Sequence, residues 1–446
     1  MAADFRLSAQ LVGHEADVRS VSFPRPDRVL TASRDTSVRV WTQTATQPAP
    51  EFSAHITTQG SDYVNAVASY PPSPAFPEGL VISGGRDMLV EVKKPDMVPS
   101  DNAVRLFIGH AQTVSTLDVV PGGTYIVSGG WDGQARVWNM EKGEAELVLQ
   151  GHENPVWAVL ALDEKTVVTG SADKVIRVFD LTKGSAGAVE PKSSIYTPDI
   201  VRGLCKIPKG HVTGAEIASS HNDGVIRLWK LTGQMMAELH GHDSFVYSVA
   251  ALPTGELVSA GEDRTVRIWK DTQCVQVITF PAISVWSVAV CPESGDFVAG
   301  TSDGVARVFT RSSDRLASAE TLSSFEQSVQ ASSIPQQQMG NVNTEKLPGP
   351  EFLKTRSGQK EGQVQMIKEE DGSVSAHTWS MCEYTIFALS VAARTCANAS
   401  WLQPNSSGSW LARWSTRQAA QGRKLNTRDN STTTSLTWTS PRASQP

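Results

Sequence analysis

The side chains in this sequence that could do chemistry are histidines and aspartates that recur at regular intervals. A carboxylate and an imidazole held together can act as general acid and base, or can bind a metal ion. A catalytic site occurs once in a chain, however, whereas this pair is repeated along it. We therefore predict a structural role, in which buried histidine and aspartate side chains hydrogen-bond to each other. The histidines are His14, His55, His110, His152 and His242, and the repeat aspartates are Asp35, Asp87, Asp132, Asp173, Asp223, Asp263 and Asp303.

Other signatures of catalysis are missing from the sequence. It contains no HExxH zinc motif, no Walker loop and no closely spaced pair of cysteine ligands. We therefore predict no catalytic residue, no metal site and no cofactor, and we expect that the protein is not an enzyme.

The aspartates belong to a repeat that sets the expected fold. Six of them are followed six residues later by Trp or Phe, and only Asp87 has a lysine, Lys93, at that position. Between the two, side chains alternate as in a strand, for example from Val38 to Trp41. The aspartates are 40 to 52 residues apart, close to the length of a four-stranded propeller blade. We predict an all-β, seven-bladed β-propeller over residues 1–310, and the repeats resemble the WD-repeat family over roughly residues 5–310.

Two details of the propeller follow from the same alignment. The alternating segment 5–12 has no blade of its own, so we expect it to supply the outer strand of the last blade and close the ring. The fifth and seventh repeats lack the Gly-His pair, so the sequence leaves open how their aspartate turns are held.

One face of the propeller is the expected binding surface. Two positions of each repeat should be the most exposed on this face: the residue after the valine that opens the innermost strand, and the residue before the repeat aspartate. Trp, Tyr and Arg, the types that dominate interface hot spots, are frequent there. This predicts a protein-binding face rather than a packed surface, although some tryptophans could instead lie between blades. The first set is Arg19, Asn65, Ser115, Trp157, Arg202, Tyr247 and Trp286, and the second is Arg34, Arg86, Trp131, Ala172, Asn222, Glu262 and Ser302.

Composition excludes several classes of partner. The net charge of −6 disfavours a duplex nucleic-acid binder, which needs a basic surface. No window is apolar enough for a membrane span, and the first residues do not resemble a signal peptide. Five cysteines without paired spacing favour free thiols in a reducing compartment. We therefore expect neither nucleic acid nor membrane as a partner.

The sequence changes character after the propeller. Residues 311–344 predict a helix through Leu322 and Phe325, with Ser318 or Thr321 as its cap, and then a linker. Residues 362–380 predict a β-hairpin that turns at Asp371-Gly372.

This region resembles one family specifically. The runs DRLASAETLSSFEQSV (314–329), NTEKLPGPEFL (343–353) and GQKEGQVQMIKEEDGSVSAHTWS (358–380) are similar to the phospholipase A-2-activating protein family, the Doa/Ufd class in yeasts. The resemblance implies a ubiquitin-binding propeller and a small central ubiquitin-binding domain, which would begin at residues 345–380. It also implies a C-terminal helical-repeat domain that docks on a hexameric AAA ATPase segregase, and a location in cytoplasm and nucleus.

Residues 381–446 depart from that pattern. They are rich in Ser, Thr and Arg, and no counterpart of the segregase-docking domain is recognised there. Codons that encode Lys424 to Asn430, read one base earlier, can give Val-Glu-Tyr-Glu-Gly-Gln, which is typical of a strand. We therefore predict that residues 381–446 are a disordered tail, translated out of frame.

The resemblance implies a non-enzymatic adaptor that binds ubiquitin and ubiquitinated proteins and acts in ubiquitin-dependent degradation and ubiquitin homeostasis. The hypothetical ubiquitin site is formed by large and polar residues at the two repeat positions that were predicted to lie on the binding face. Asp17 and Glu262 are its acidic neighbours. The alternatives are a WD-repeat scaffold for another protein or peptide and, less favoured, a regulator of phospholipase. The proposed site residues are Arg19, Arg34, Asn65, Arg86, Trp131, Trp157, Arg202, Tyr247 and Trp286.

Overall fold

The computed structural model describes residues 3–46, 49–123, 125–183 and 187–332, together with two short strands at 366–368 and 374–376. The chain divides into two compact units, residues 1–338 and residues 339–446. The tail predicted for residues 381–446 lies outside the described residues. No helix among the described residues is both long and apolar enough to cross a membrane.

The first unit is a seven-bladed β-propeller, as predicted. The strand β1 (Arg6–Val12) belongs to the last blade. Blade 1 consists of β2 (Val18–Arg25), β3 (Arg28–Ser33), β4 (Ser37–Ala45) and β5 (Glu51–Gln59). Blade 2 consists of β6 (Val64–Tyr70), β7 (Leu80–Gly85), β8 (Leu89–Lys93) and β9 (Arg105–Ile108). Blade 3 consists of β10 (Val114–Val119), β11 (Tyr125–Gly130), β12 (Ala135–Asn139) and β13 (Glu144–Leu149).

The remaining blades follow the same antiparallel order. Blade 4 consists of β14 (Val156–Ala161), β15 (Thr166–Ser171), β16 (Val175–Asp180) and β18 (Ser193–Tyr196), and the short β17 (Ala188–Val189) adds in parallel to β13 of blade 3. Blade 5 consists of β19 (Val201–Lys206), β20 (Ile217–His221), β21 (Ile226–Trp229) and β22 (Met235–Leu239). Blade 6 consists of β23 (Val246–Ala251), β24 (Leu257–Gly261), β25 (Thr265–Lys270) and β26 (Gln273–Thr279). Blade 7 consists of β27 (Val285–Val290), β28 (Phe297–Thr301), β29 (Val305–Thr310) and β1.

The ring is closed by two kinds of contact. The innermost strand β27 of blade 7 contacts β2 of blade 1. The outer strand β1 pairs antiparallel with β29, with Leu11 opposite Ala306. The prediction that residues 5–12 complete the last blade is therefore confirmed. Because β1 pairs with β29, the edge of β29 that faces away from β28 is not left unpaired.

The hydrophobic core lies between the blades. In one cluster, Trp41 of blade 1 is buried with Val298 and Val308 of blade 7. In another, Trp138 of blade 3 is buried with Ile82 and Phe107 of blade 2. A single blade cannot bury both of its apolar faces, so the repeats stabilise each other only as a ring.

The innermost strands are also linked by hydrogen bonds between neighbouring blades. The Ser20 hydroxyl accepts the N–H of Val67 at 3.1 Å, and the Ser248 hydroxyl accepts the N–H of Val288 at 3.2 Å. Blade 3 uses a carboxylate instead, since Asp118 accepts the N–H of Ala161 in blade 4 at 2.7 Å.

Asp118 predicts a measurable dependence of stability on pH. Burial raises the pKa of Asp118 to about 6, although the N–H groups that donate to its carboxylate oppose the shift. Between about pH 4 and pH 6 the folded chain therefore holds a proton that the unfolded chain has lost, so stability falls as the pH rises through this window. We expect Asp118→Asn to remove roughly 1–2 kcal/mol of this dependence in urea unfolding. The exposed Asp96→Asn is the matched control, and an unchanged pH slope in Asp118→Asn would contradict the prediction.

A helix follows blade 7 and packs on the propeller. This helix, α1 (Ala319–Ser332), is capped by Ser318, whose hydroxyl accepts the N–H of Thr321 at 3.2 Å. Phe325 lies 6.1 Å from the ring of Phe280 and 6.2 Å from that of Phe309. The helix thus covers apolar side chains of blades 6 and 7, and of the two caps that the sequence allowed, Ser318 is the one used.

The second unit contains the predicted hairpin. The strands β30 (Met366–Lys368) and β31 (Val374–Ala376) pair antiparallel, with Met366 opposite Ala376 and Lys368 opposite Val374. This register confirms the two antiparallel strands of the predicted hairpin, while the predicted turn at Asp371-Gly372 lies outside the described residues.

Candidate functional site

All seven repeat aspartates lie in the turns between the second and third strands of their blades, at one end of the ring. We call this end the aspartate face. In every turn the carboxylate accepts the N–H two residues further on, and the residue between has a positive φ. An Asx turn of this kind fixes the connection locally, so the aspartates stabilise the loops that present the face. The residues with positive φ are Thr36, Met88, Gly133, Lys174, Gly224, Arg264 and Gly304.

Four blades contain the predicted histidine–aspartate pair. His14, His110, His152 and His242 each hydrogen-bond through Nδ1 to the repeat aspartate of their own blade, at 2.7 to 2.9 Å. The other ring nitrogen bonds to a Ser or Thr hydroxyl, and in three of these blades that hydroxyl also accepts the indole N–H of the repeat tryptophan. Burial alone would raise the pKa of Asp263, but the bonds from His242 and Thr265 lower it to about 2. The pairs are thus embedded in structural networks.

The fifth and seventh blades hold their aspartates with arginine. Arg227 contacts Asp223 at 2.6 Å, and Arg307 contacts Asp303 at 2.7 Å. In blade 5 a histidine from the second strand, His221, bonds to the Ser219 hydroxyl at 2.7 Å. These arginine pairs answer the question that the missing Gly-His left open.

The prediction for His55 was wrong. His55 lies inside the outer strand β5, where its Nε2 bonds to the carbonyl of Met97 at 2.7 Å. When the repeats are aligned on the first residue of the innermost strand, the position of His14 falls on Gly60, five residues after His55. Within the part of the chain that the structure describes, Asp87 therefore has no histidine partner, and burial raises the pKa of Asp87.

Eight of the nine proposed site residues are brought together on the aspartate face. They form a continuous series of ring and guanidinium contacts, which we call the aromatic–arginine belt. Its members are Trp131, Trp157, Arg202, Tyr247, Trp286, Arg19, Arg34, Tyr63 and Arg86.

The belt is tightest over blades 4 to 7 and blade 1. Arg202 lies 4.7 Å from the ring centre of Trp157 and 5.6 Å from that of Tyr247. Tyr247 lies 4.5 Å from Trp286, and the guanidinium of Arg19 lies 3.7 Å from the ring centre of Trp286. Cation–π and aromatic contacts of this kind hold flat side chains in one arrangement.

Arginines of the belt are also paired with acids at its edge. Arg34 contacts Asp17 at 3.3 Å, and Arg86 lies 3.6 Å from Asp62. Arg202 donates from Nε to Asn222 at 2.7 Å. The two pairs with Asp17 and Asp62 reduce the net positive charge that the four arginines would otherwise present, whereas the bond to Asn222 orients Arg202 without changing its charge.

Two of the remaining predicted positions take no part in the belt. Asn65 is outside the belt, and the Ser115 hydroxyl donates to the carbonyl of Val156 in the next blade. All fourteen predicted positions are half-buried rather than the most exposed of the face, because neighbouring side chains stack over one another. That part of the prediction was wrong.

A third column of the repeat was missed. The residue immediately before the valine that opens the innermost strand supplies Tyr63, which links Arg34 to Arg86 in the belt. It also supplies Phe245, whose ring lies 6.3 Å from that of Tyr247. The same alignment contained this signal, since two of the seven residues in that column are aromatic.

Comparison with known proteins agrees with the repeat. The family described as "WD domain, G-beta repeat" matches residues 5–42, 102–139, 143–180 and 233–270. The crystal structure of the WD40 β-propeller domain of Doa1 is similar, with a TM-score of 0.61 and 33% identity, covering 70% of this chain and 99% of that one. The chain belongs to the Doa1 and phospholipase A-2-activating protein family of WD-repeat proteins.

Longer members of this family extend the similarity beyond the propeller. "Ubiquitin homeostasis protein lub1" of Schizosaccharomyces pombe is 38% identical over 380 residues, which are 85% of this chain and 49% of lub1. "Phospholipase A-2-activating protein" of Xenopus laevis is 36% identical over 85% of this chain and 46% of its own length. The chain therefore spans about half the length of these relatives.

Proposed function

We propose that this member of the Doa1 family is a non-enzymatic adaptor that binds ubiquitin and ubiquitinated proteins through the aspartate face. The name of the lub1 relative links that protein to ubiquitin homeostasis. The observation that carries the proposal is the aromatic–arginine belt, which unites eight of the nine residues proposed for the site.

The belt has the properties of a protein-binding surface. Its tryptophans, tyrosines and arginines are the types that supply most binding energy at interfaces. Stacking also fixes their orientation before a partner arrives, so little side-chain entropy is lost on binding.

The charges at the edge of the belt suit ubiquitin. Ubiquitin presents an apolar patch flanked by basic side chains. Asp17 and Glu262 lie beside the belt, where Asp17 contacts Arg34 and Glu262 accepts the Ser244 hydroxyl at 2.6 Å. An apolar floor with acids at its edge complements such a patch.

We do not extend the proposal to segregase docking, which the resemblance implies for a C-terminal helical-repeat domain of longer relatives. Residues 381–446 of this chain depart from the family pattern. A role in ubiquitin-dependent degradation within cytoplasm and nucleus remains part of the proposal.

Titration of ¹⁵N-labelled ubiquitin with the full chain tests the proposal. We expect saturable changes in ubiquitin signals, concentrated on the apolar patch, with an affinity in about the micromolar range typical of transient contacts. Ubiquitin whose patch residues are replaced by alanine is the control and should give no change. If native ubiquitin shows no change either, the proposal is wrong and a scaffold for another protein is favoured.

A further inference from the structure

The aspartate face has one sector with prominent apolar side chains beside the belt. Phe245 is 37% exposed, and Ile283 is 79% exposed. Both lie in the connections that lead into the innermost strands of blades 6 and 7: Phe245 immediately before β23 and Ile283 two residues before β27. They therefore border the belt rather than the outer circumference of the ring.

Exposed apolar residues elsewhere on this face have a different position. Apart from Met88, which lies in the aspartate turn of blade 2, each lies at the end of an outer strand, opposite the first residues of a third strand. Ile108 pairs with Leu89 in blade 2, and Tyr196 pairs with Val175 in blade 4. Outer strands lie far from the belt, so these residues extend no aromatic surface.

Half-buried rings lie beside Phe245 and follow Ile283 closely in the chain. Phe245 lies 6.3 Å from Tyr247, which lies 4.5 Å from Trp286, three residues after Ile283. The backbone is also fixed, because the carbonyl of Phe245 accepts the N–H of Glu262 and the N–H of Ile283 donates to the Ser302 hydroxyl. The sector is thus a rigid apolar projection.

The accessible charge of the sector is acidic. The side chain of Asp243 is 89% exposed, and one of its oxygens lies 3.9 Å from the largely buried guanidinium of Arg267. The neighbouring cations are held against other groups: Arg19 over Trp286, Arg202 near Phe245 and Tyr247, and Arg264 at 2.9 Å from the Ser332 carbonyl.

We propose that Phe245 and Ile283, with Asp243 beside them, anchor the partner on the aspartate face. The partner that fits is a folded protein with an apolar patch ringed by Lys and Arg, because apolar anchors need apolar contact and an exposed carboxylate favours basic neighbours. This assignment rests on the proposed function and locates the ubiquitin contact on blades 6 and 7.

Two isoleucines of similar exposure make a matched test. Ile283→Ser should weaken ubiquitin binding by the full chain about 10- to 30-fold, and Phe245→Ala should do the same, because each removes an anchor. Ile108→Ser changes a residue that is 73% exposed on blade 2 and should alter affinity less than about 2-fold. Asp243→Lys should weaken binding several-fold by placing a cation against basic side chains.

The outcomes separate this inference from the proposed function. Thermal unfolding that matches the wild type verifies that each variant is folded. If the wild type binds ubiquitin and Ile283→Ser binds equally well, the location on blades 6 and 7 is overturned while the proposed function stands. If the wild type does not bind ubiquitin, both are overturned.

Discussion

Replacement of Trp138 by alanine is expected to destabilise the propeller by about 3–5 kcal/mol, the usual cost of truncating a fully buried tryptophan. Trp138 is 1% exposed and packs against blade 2, with its ring 5.3 Å from that of Phe107. Its indole N–H donates to the Ser128 hydroxyl at 2.7 Å, the same hydroxyl that binds His110. The variant therefore loses packing between two blades and one hydrogen bond of the histidine network.

Trp138→Phe separates these two contributions. Phenylalanine occupies the equivalent position in blade 4, as Phe179, so the site tolerates its shape. We expect a loss of about 1–2 kcal/mol in Trp138→Phe, from the missing hydrogen bond and the smaller ring. Urea unfolding followed by circular dichroism measures both variants. Equal losses in the two would contradict the importance of packing between blades.

The double variant Trp157→Ala/Tyr247→Ala is expected to lower ubiquitin affinity by about 100-fold or more, as for two adjacent hot-spot residues. The guanidinium of Arg202 contacts both rings, at 4.7 and 5.6 Å, so their removal breaks the belt at its centre. Calorimetric titration of the full chain with ubiquitin measures the effect.

Tyr70→Ala is the control for that double variant. Tyr70 is a half-buried aromatic at the opposite end of the innermost strand β6, away from the aspartate face. Its truncation should leave ubiquitin affinity unchanged. If the double variant remains folded and binds ubiquitin like the wild type, the belt is not the ubiquitin site.

The fold could be predicted in detail because its information is local and repeated. Each repeat contains an aspartate, an alternating run and, in six of seven, an aromatic residue at fixed spacing. The wrong prediction for His55 arose where the interval between repeats is longest. The aspartates of the first two repeats are 52 residues apart, and the long outer strand β5 shifts the histidine out of the turn.

The sequence could predict which residues form the candidate site, but not how their side chains are arranged. Alignment of repeats identifies which positions share a face, and it identified Trp157, Arg202 and Tyr247 without any structure. Which side chains stack, and how deeply, depends on the distance between neighbouring blades, which no single repeat encodes. The sequence therefore overestimated the exposure of the tryptophans and gave no reason to single out Ile283.

The pairing of β1 with β29 has a consequence for synthesis of the protein. About 290 residues separate the two strands, so at roughly 5–20 residues per second the ribosome needs about 15–60 s to make them. During this time Leu7 and Leu11, which are buried in the finished blade, have no partner strand. Molecular chaperones that protect nascent apolar segments should therefore act first on β1, and blade 7 is completed only when β29 leaves the ribosome.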